Sequence, residues 1–136
     1  MKLLMIYMEV FKYKPTVKTL ENFPDFTEEV ERNNVLAAFI QMEKEDETNP
    51  KYAETKLVKN LKWAAKKNAT NHIILHSFAH LSESKAAPEI TKEFLDTVEE
   101  RLRNTGYEVE QTPFGYFLDL EVKAPGKSSA RIFKSF

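Results

Sequence analysis

The chain has 136 residues, 30% of them charged, with 20 basic and 21 acidic side chains and a formal net charge of −1. That length suits one domain that buries a core without cross-links, and the near-zero charge means that any RNA contact must come from a local basic patch and not from the field of the whole molecule. Cysteine is absent, which excludes disulfides and thiol chemistry and suits a reducing cytosol; three histidines make a poor structural zinc set, and three glycines leave no glycine-rich phosphate loop.

Residues 2–13 carry apolar groups on both faces, Leu4, Ile6, Met8 and Val10 against Leu3, Met5, Tyr7 and Phe11, and read as a strand and not as a signal peptide. Pro15 is expected to end it, because proline cannot donate to a ladder. Residues 16–34 are polar and acidic and read as a connection whose Phe23 and Phe26 tuck onto the body. Residues 35–42 are a second buried strand, and the charged run at 43–47 is expected to be a solvated turn. Asn49-Pro50 opens a helix with a side chain that can cap and a proline at the first helical position. Ala53, Leu57, Leu61 and Ala64 follow at helical spacing, widened by Val58 and Ala65, with lysines at 56, 59, 62, 66 and 67 on the other side.

The chain is organised around residues 71–82, Asn-His-Ile-Ile-Leu-His-Ser-Phe-Ala-His-Leu-Ser. Ile73, Ile74, Leu75 and Phe78 point apolar groups both ways, as in an interior strand covered on both faces. Ligands collect at the carboxyl ends of such strands, which makes His80 the first residue to inspect. A second helix opens at Pro88, carries Ile90, Phe94, Leu95, Val98 and Leu102, and stops at Asn104-Thr105-Gly106 with glycine as the left-handed cap. Tyr107, Val109 and Gln111 start a short strand, Pro113-Phe114-Gly115 breaks it, residues 116–122 form another, and 130–136 add a last one after the Pro125-Gly126 turn. The sum is a single α/β domain with a mixed sheet of about five or six strands and two main helices. No apolar run reaches the roughly 20 residues of a membrane span.

Phe78-Ala79-His80-Leu81-Ser82 after a buried strand, followed further on by Thr112-Pro113-Phe114-Gly115-Tyr116, resembles the N-terminal editing domain of archaeal threonyl-tRNA synthetases, which typically read Phe-Ala-His-Leu-Ser and Ala-Pro-Phe-Gly-Tyr. Residues 1–6, Leu36-Ala37-Ala38-Phe39-Ile40, Glu43-Lys44-Glu45 and Asn49-Pro50 extend the likeness over essentially the whole chain, so that residues 1–136 read as one divergent, free-standing editing-type domain. The resemblance implies a D-aminoacyl-tRNA deacylase-like fold, a cytoplasmic homodimer, and proofreading by hydrolysis of serine from tRNA charged in place of threonine. No metal or nucleotide cofactor is implied. His80 and Glu9 become the catalytic candidates, and Phe39, Ala79, Ser82, Phe114, Gly115, Tyr116 and Phe117 the substrate-binding ones.

The likeness weakens where the chemistry sits. The lysine expected after the aromatic pair is Leu118, the His-Ser-Asp run ending the first strand is Tyr7-Met8-Glu9, and the acidic position near the end falls at Arg131. Two functions therefore stand side by side: an aminoacyl-tRNA deacylase acting in trans, or a catalytically silent module that binds an aminoacyl-adenosine, an amino acid or a separate synthetase. For His80 the alternative to a site residue is a loop-structuring histidine that donates to a backbone carbonyl. His76 reads as a satisfied core or dimer-face histidine, His72 as solvent-facing, and Glu9 equally as a plain strand-end carboxylate. Lys123, Lys127, Arg131 and Lys134 with Lys66 and Lys67 read either as a solvated face or as a phosphate-contacting stripe. Residues 131–136 lack the polar linker expected before another domain, which favours a complete protein over an excised piece.

Overall fold

A computed structural model describes all residues, 1–136. Its spine is β1 (Lys2–Lys18), which pairs antiparallel along one edge with β2 (Val30–Gln41), from Lys2 opposite Gln41 to Tyr13 opposite Val30. The other edge of β1 is divided: β6 (Arg131–Ser135) takes residues 2–6 and β5 (Tyr116–Lys123) takes Val10 onward. β3 (His72–Ser77) lies parallel to β2 and β4 (Glu108–Gln111) parallel to β3, giving the order β4-β3-β2-β1-β5 with β6 also on β1. The two parallel crossovers carry α1 (Pro50–Lys67) and α2 (Pro88–Arg103). Neither helix is long and apolar enough to cross a membrane.

The apolar residues divide into two layers. The larger lies between helices and sheet and contains Leu3, Met5, Leu36, Leu57, Leu61, Ile73, Leu75, Val98 and Leu102. The smaller, with Met8, Phe11, Tyr13, Val35, Ala37, Phe39 and Ile74, lies on the opposite face. Fully burying one such aliphatic side chain contributes about 2 kcal/mol. The helix boundaries follow from local chemistry: Asn49 caps α1 by accepting from the Tyr52 amide at 3.3 Å, and Gly106 follows α2 at φ +93°. Ile90, expected on the buried side of α2, is instead 39% exposed on its first turn.

The sheet curls. Tyr13 on β1 donates to Glu110 on β4 at 3.2 Å, although these strands stand three places apart and would be separated by about 14 Å in a flat sheet. Arg32 Nε donates to both Glu110 oxygens at 3.1 and 3.0 Å, and His72 Nε2 lies 2.9 Å from Glu110 Oε2. His72 is therefore not solvent-facing, because a carboxylate on the neighbouring strand holds it. Burial, together with the Glu110 charge, pushes the Tyr13 phenol up to about 12. Pro15 does not end β1: beyond Tyr13 the strand has a partner only on the β5 side, where a register shift between Pro15 and Val17 absorbs the missing donor. For the same reason β2 begins at Val30 rather than at residue 35: its polar first residues pair with Val10 to Tyr13 on this curled ribbon.

The charged run at 43–47 is not simply a solvated turn. Lys44–Glu47 form a 3-10 turn, but Glu43 is buried and accepts from the Met1 amine at 2.6 Å, from Lys2 at 3.2 Å and from Ser82 at 2.6 Å. Phe23 packs edge-on against Phe114 with centroids 4.8 Å apart, as expected, whereas Phe26 stays largely exposed beside Tyr116.

The curl is fastened at Gly115. Its carbonyl accepts from the amides of Thr19 at 2.7 Å and Leu20 at 3.3 Å and from the Thr19 hydroxyl at 3.0 Å, which ties the entry to β5 to the end of β1. Gly115 has φ +85°, and an added Cβ would lie 2.9 Å from Leu20 Cβ; at Gly106, also left-handed, a Cβ would meet nothing. Gly106→Ala is therefore expected to cost about 1 kcal/mol in urea unfolding. Gly115→Ala should cost about 2–3 kcal/mol, because an overpacking penalty is added to the backbone strain. Equal losses would mean that the contact with Leu20 is not a constraint.

Candidate functional site

The carboxyl ends of β2 and β3, the start of α2 and the turn into β5 surround a cavity of about 430 Å³. β3 and the loop that leaves it bring two histidines to the cavity in different states. His76 is buried, its Nδ1 lies 2.8 Å from Thr112 Oγ1, and its ring sits edge-on to Phe39 with centroids 4.9 Å apart. Burial pushes its imidazole down to about 4, so it is uncharged at neutral pH. It is the satisfied core histidine that the sequence suggests, and it also forms part of the cavity floor. The signal for that second role was its alternation with Ile74 and Phe78 on one face of the strand.

His80 is exposed at the cavity edge, its ring 5.0 Å from that of Phe78, and it donates to no backbone carbonyl. It does not structure its loop. Gln41 does that, from the end of β2: its Oε1 accepts from the amides of Leu81 and Ser82 at 2.6 and 2.7 Å, and its Nε2 donates to the carbonyls of Ser82 and Ser84 at 2.7 and 2.9 Å. The Ser82 hydroxyl donates onward to Glu43. Burial alone would raise the Glu43 carboxyl, but hydrogen bonds from the Met1 amine, Ser82 and Lys2 outweigh it and bring the group down to about 2. Inside this clamp the amides of Ala79 and His80 donate to nothing in the chain. Two adjacent free N–H groups and an unpartnered imidazole thus meet at one edge of the cavity.

The opposite wall is Phe114, Gly115, Tyr116, Phe117 and Leu118. The Tyr116 oxygen accepts from the Phe26 amide at 3.1 Å. Leu118 is half-buried and packs on the smaller apolar layer, so this wall carries an inert side chain where the family resemblance anticipates a charged donor. No carboxylate lines the cavity; Lys85 supplies a cation, and Pro88 and Thr91 belong to the start of α2, where the Ala87 amide already donates to the Glu47 carboxylate at 2.8 Å. No three histidine, aspartate or glutamate side chains gather where a metal ion could be held.

The structure brings Ala79, His80, Phe114, Gly115, Tyr116 and Phe117 together around the cavity and leaves three other expected site residues outside it. Ser82 is turned away because its hydroxyl is engaged by Glu43. Phe39 lies behind His76 and Phe78 in the apolar layer, with its ring edge against both. Glu9 is exposed near the middle of β1, between the segments taken by β6 and β5, and its carboxylate makes no contact with the cavity. Arg131 is likewise distant, exposed at the start of β6 and donating to the Pro125 carbonyl. Gln41, Lys85 and Thr91 were not anticipated; nothing in their local pattern distinguishes them from core or surface positions.

A solved structure described as c-Myc DNA unwinding element binding protein superposes over all of this chain and 99% of its own with a TM-score of 0.70, at 13% sequence identity, which shows a shared fold. The architecture is the D-aminoacyl-tRNA deacylase-like one, a curled six-stranded mixed sheet with two helices. The family described as the archaea-specific editing domain of threonyl-tRNA synthetase matches residues 1–136, and the chain belongs to it. The threonine–tRNA ligases of Thermococcus kodakarensis and Pyrococcus horikoshii are 35% and 32% identical over 138 aligned residues, 99% of this chain, and that of Methanocaldococcus jannaschii is 30% identical over 93% of it. The chain spans only 22%, 22% and 20% of the lengths of these relatives.

The buried His76 makes stability pH-dependent. Between its unperturbed value of 6.5 and about 4 in the folded protein, the unfolded chain binds a proton that the folded chain does not. Its contribution is complete above the upper value and declines as pH falls toward the lower one, by about 3 kcal/mol across the window. Urea unfolding at pH 7 and pH 4.5 should show a larger loss for the wild type than for His76→Gln; parallel losses would mean that this imidazole is not held neutral.

Proposed function

We propose that the chain is an aminoacyl-tRNA editing protein that holds the aminoacylated 3′ end of a tRNA, or an aminoacyl-adenosine, in the cavity and hydrolyses the ester of a wrongly attached amino acid. Serine on threonine tRNA is the substrate that family membership suggests, and action in trans, on tRNA released by a separate synthetase, is part of this proposal. The observation that carries this reading is the juxtaposition of the unpartnered His80 imidazole with the free amides of Ala79 and His80. Water attacks the ester carbonyl while His80 takes its proton and passes it to the departing ribose oxygen. The two amide N–H groups donate to the carbonyl oxygen as negative charge develops on it. Phe114 and Leu118 give the facing wall an apolar surface for the uncharged part of the substrate. Lys85, the cation on the cavity lining, favours the terminal phosphate.

A binding-only role is favoured by one observation, the apolar Leu118 on a cavity without carboxylates. Loss of a well-placed donor commonly costs about 100–1000-fold in rate. A second copy of the chain is the partner best suited to the curled face, where Leu120, Val122 and Phe133 are exposed beside half-buried Leu4 and Ile6. The cytoplasm, where tRNA is charged, is the compartment this substrate requires.

The test is release of labelled serine from seryl-tRNA(Thr), with D-aminoacyl-tRNAs in parallel. Wild-type release well above the spontaneous rate, reduced about 100- to 10,000-fold in His80→Ala, is the expected result, and Leu118→Lys should raise the rate further. A silent wild type that gains activity only in Leu118→Lys would establish the binding-only role. Silence in all three proteins would contradict the hydrolytic reading.

A further inference from the structure

The outer face of α1 has no part in the cavity, yet it is built unlike an ordinary solvated helix face. Tyr52, Lys56, Lys59, Trp63 and Lys67 recur three and four residues apart and so share one side of the helix. Tyr52 and Trp63 are 53% and 46% exposed, although the opposite side of α1, with Leu57, Leu61 and Ala64, already supplies the core. The one acidic residue of α1, Glu54, is occupied by Lys51 at 3.0 Å and Arg101 at 2.7 Å, and no carboxylate pairs with Lys56, Lys59, Lys66 or Lys67. β6 lies alongside and adds Lys134, whose Nζ is 5.8 Å from the Trp63 ring centroid, the same distance as that of Lys67. Lys56 lies 5.7 Å from the Tyr52 ring centroid.

Like charges three and four apart on a helix repel, so this stripe weakens α1 unless something anionic lies on it. An anion that accepts several lysines along three helical turns and offers flat faces to two exposed aromatic rings has the chemistry of a nucleic acid strand. A membrane surface would ask instead for a broad apolar face beside the lysines, and the apolar face of α1 is buried. We propose that the stripe of Tyr52, Lys56, Lys59, Trp63 and Lys67, with Lys134, docks the phosphate backbone of an RNA, giving the chain a second RNA contact separate from the cavity. This deepens the reading of the chain as a tRNA-editing protein, but its test needs no ester.

Trp63 is the only tryptophan in the chain, so its fluorescence reports directly on this face. The full chain is titrated with an uncharged tRNA transcript at a series of salt concentrations. Trp63 emission should change saturably, and log affinity should fall with log salt at a slope of about −3, as for three or four phosphates neutralised. The variant Lys59→Glu/Lys67→Glu/Lys134→Glu, its fold checked by circular dichroism, should lose at least tenfold in affinity and show a shallower slope. It should still bind a non-hydrolysable seryl-adenosine analogue, which is too small to reach α1, as tightly as the wild type does. An unchanged Trp63 signal with tRNA, a response to anionic phospholipid vesicles or polyglutamate but not to tRNA, or an unaltered affinity in the folded triple variant would each overturn the proposal. A Trp63 response in a protein that hydrolyses no ester would leave this inference standing and remove the hydrolytic one.

Discussion

The site depends on the curl of β1. A strand of 17 residues with two successive partners on one edge lets β5 leave the plane occupied by β2, β3 and β4 and swing across the smaller apolar layer. That swing sets the turn at Phe114 and Gly115 opposite the loop that leaves β3. Two latches hold the closure, one at each end: the Gly115 carbonyl on Thr19 and Leu20, and the Glu110 carboxylate on Tyr13, Arg32 and His72. The first requires a residue without a Cβ. The second requires an ionised carboxylate; burial tends to raise Glu110, but Arg32 and His72 outweigh it and hold the group below the usual range.

Within this frame the cavity divides its labour. The Gln41 side-chain amide meets two loop amides and two loop carbonyls, so the histidine loop is shaped from below and its Ala79 and His80 amides remain free. Those amides are donors fixed in place by the fold, and fixed dipoles at a developing charge need no rearrangement during reaction. A pocket built this way tolerates side-chain loss better than one that relies on a charged donor. That is why the leucine at 118 weakens the case for hydrolysis without removing it.

Much of the fold was legible locally. Asn49-Pro50, the stripe from Ala53 to Ala65, the two-faced apolar run at 73–75 and the glycine after α2 each state their structure within a few residues. What was misread depends on partners far along the chain. Pro15 is acceptable only because β1 has one partner there, and the polar start of β2 is a strand only because β1 pairs with it. Glu43 belongs to an ion-pair cluster with Met1, and His72 is held by Glu110 from the neighbouring strand. The site followed the same rule. The motif residues at 79–80 and 114–117 meet because the sheet curls, while Glu9, on the same strand as the latch, is carried out of reach. Gln41 reads as an ordinary polar residue at a strand end until the loop it organises is in view.

The proposed occupant of the cavity beside Ala79 and His80 is an aminoacyl-adenosine. The most direct measurement is a titration of the isotopically labelled protein with a non-hydrolysable seryl-adenosine analogue, following backbone amide resonances. Saturable shifts confined to Ala79, His80 and the residues from Phe114 to Leu118, weakened in Gln41→Leu where the loop is released, are the predicted result. Shifts absent from those amides, or centred on another face of the molecule, would contradict it.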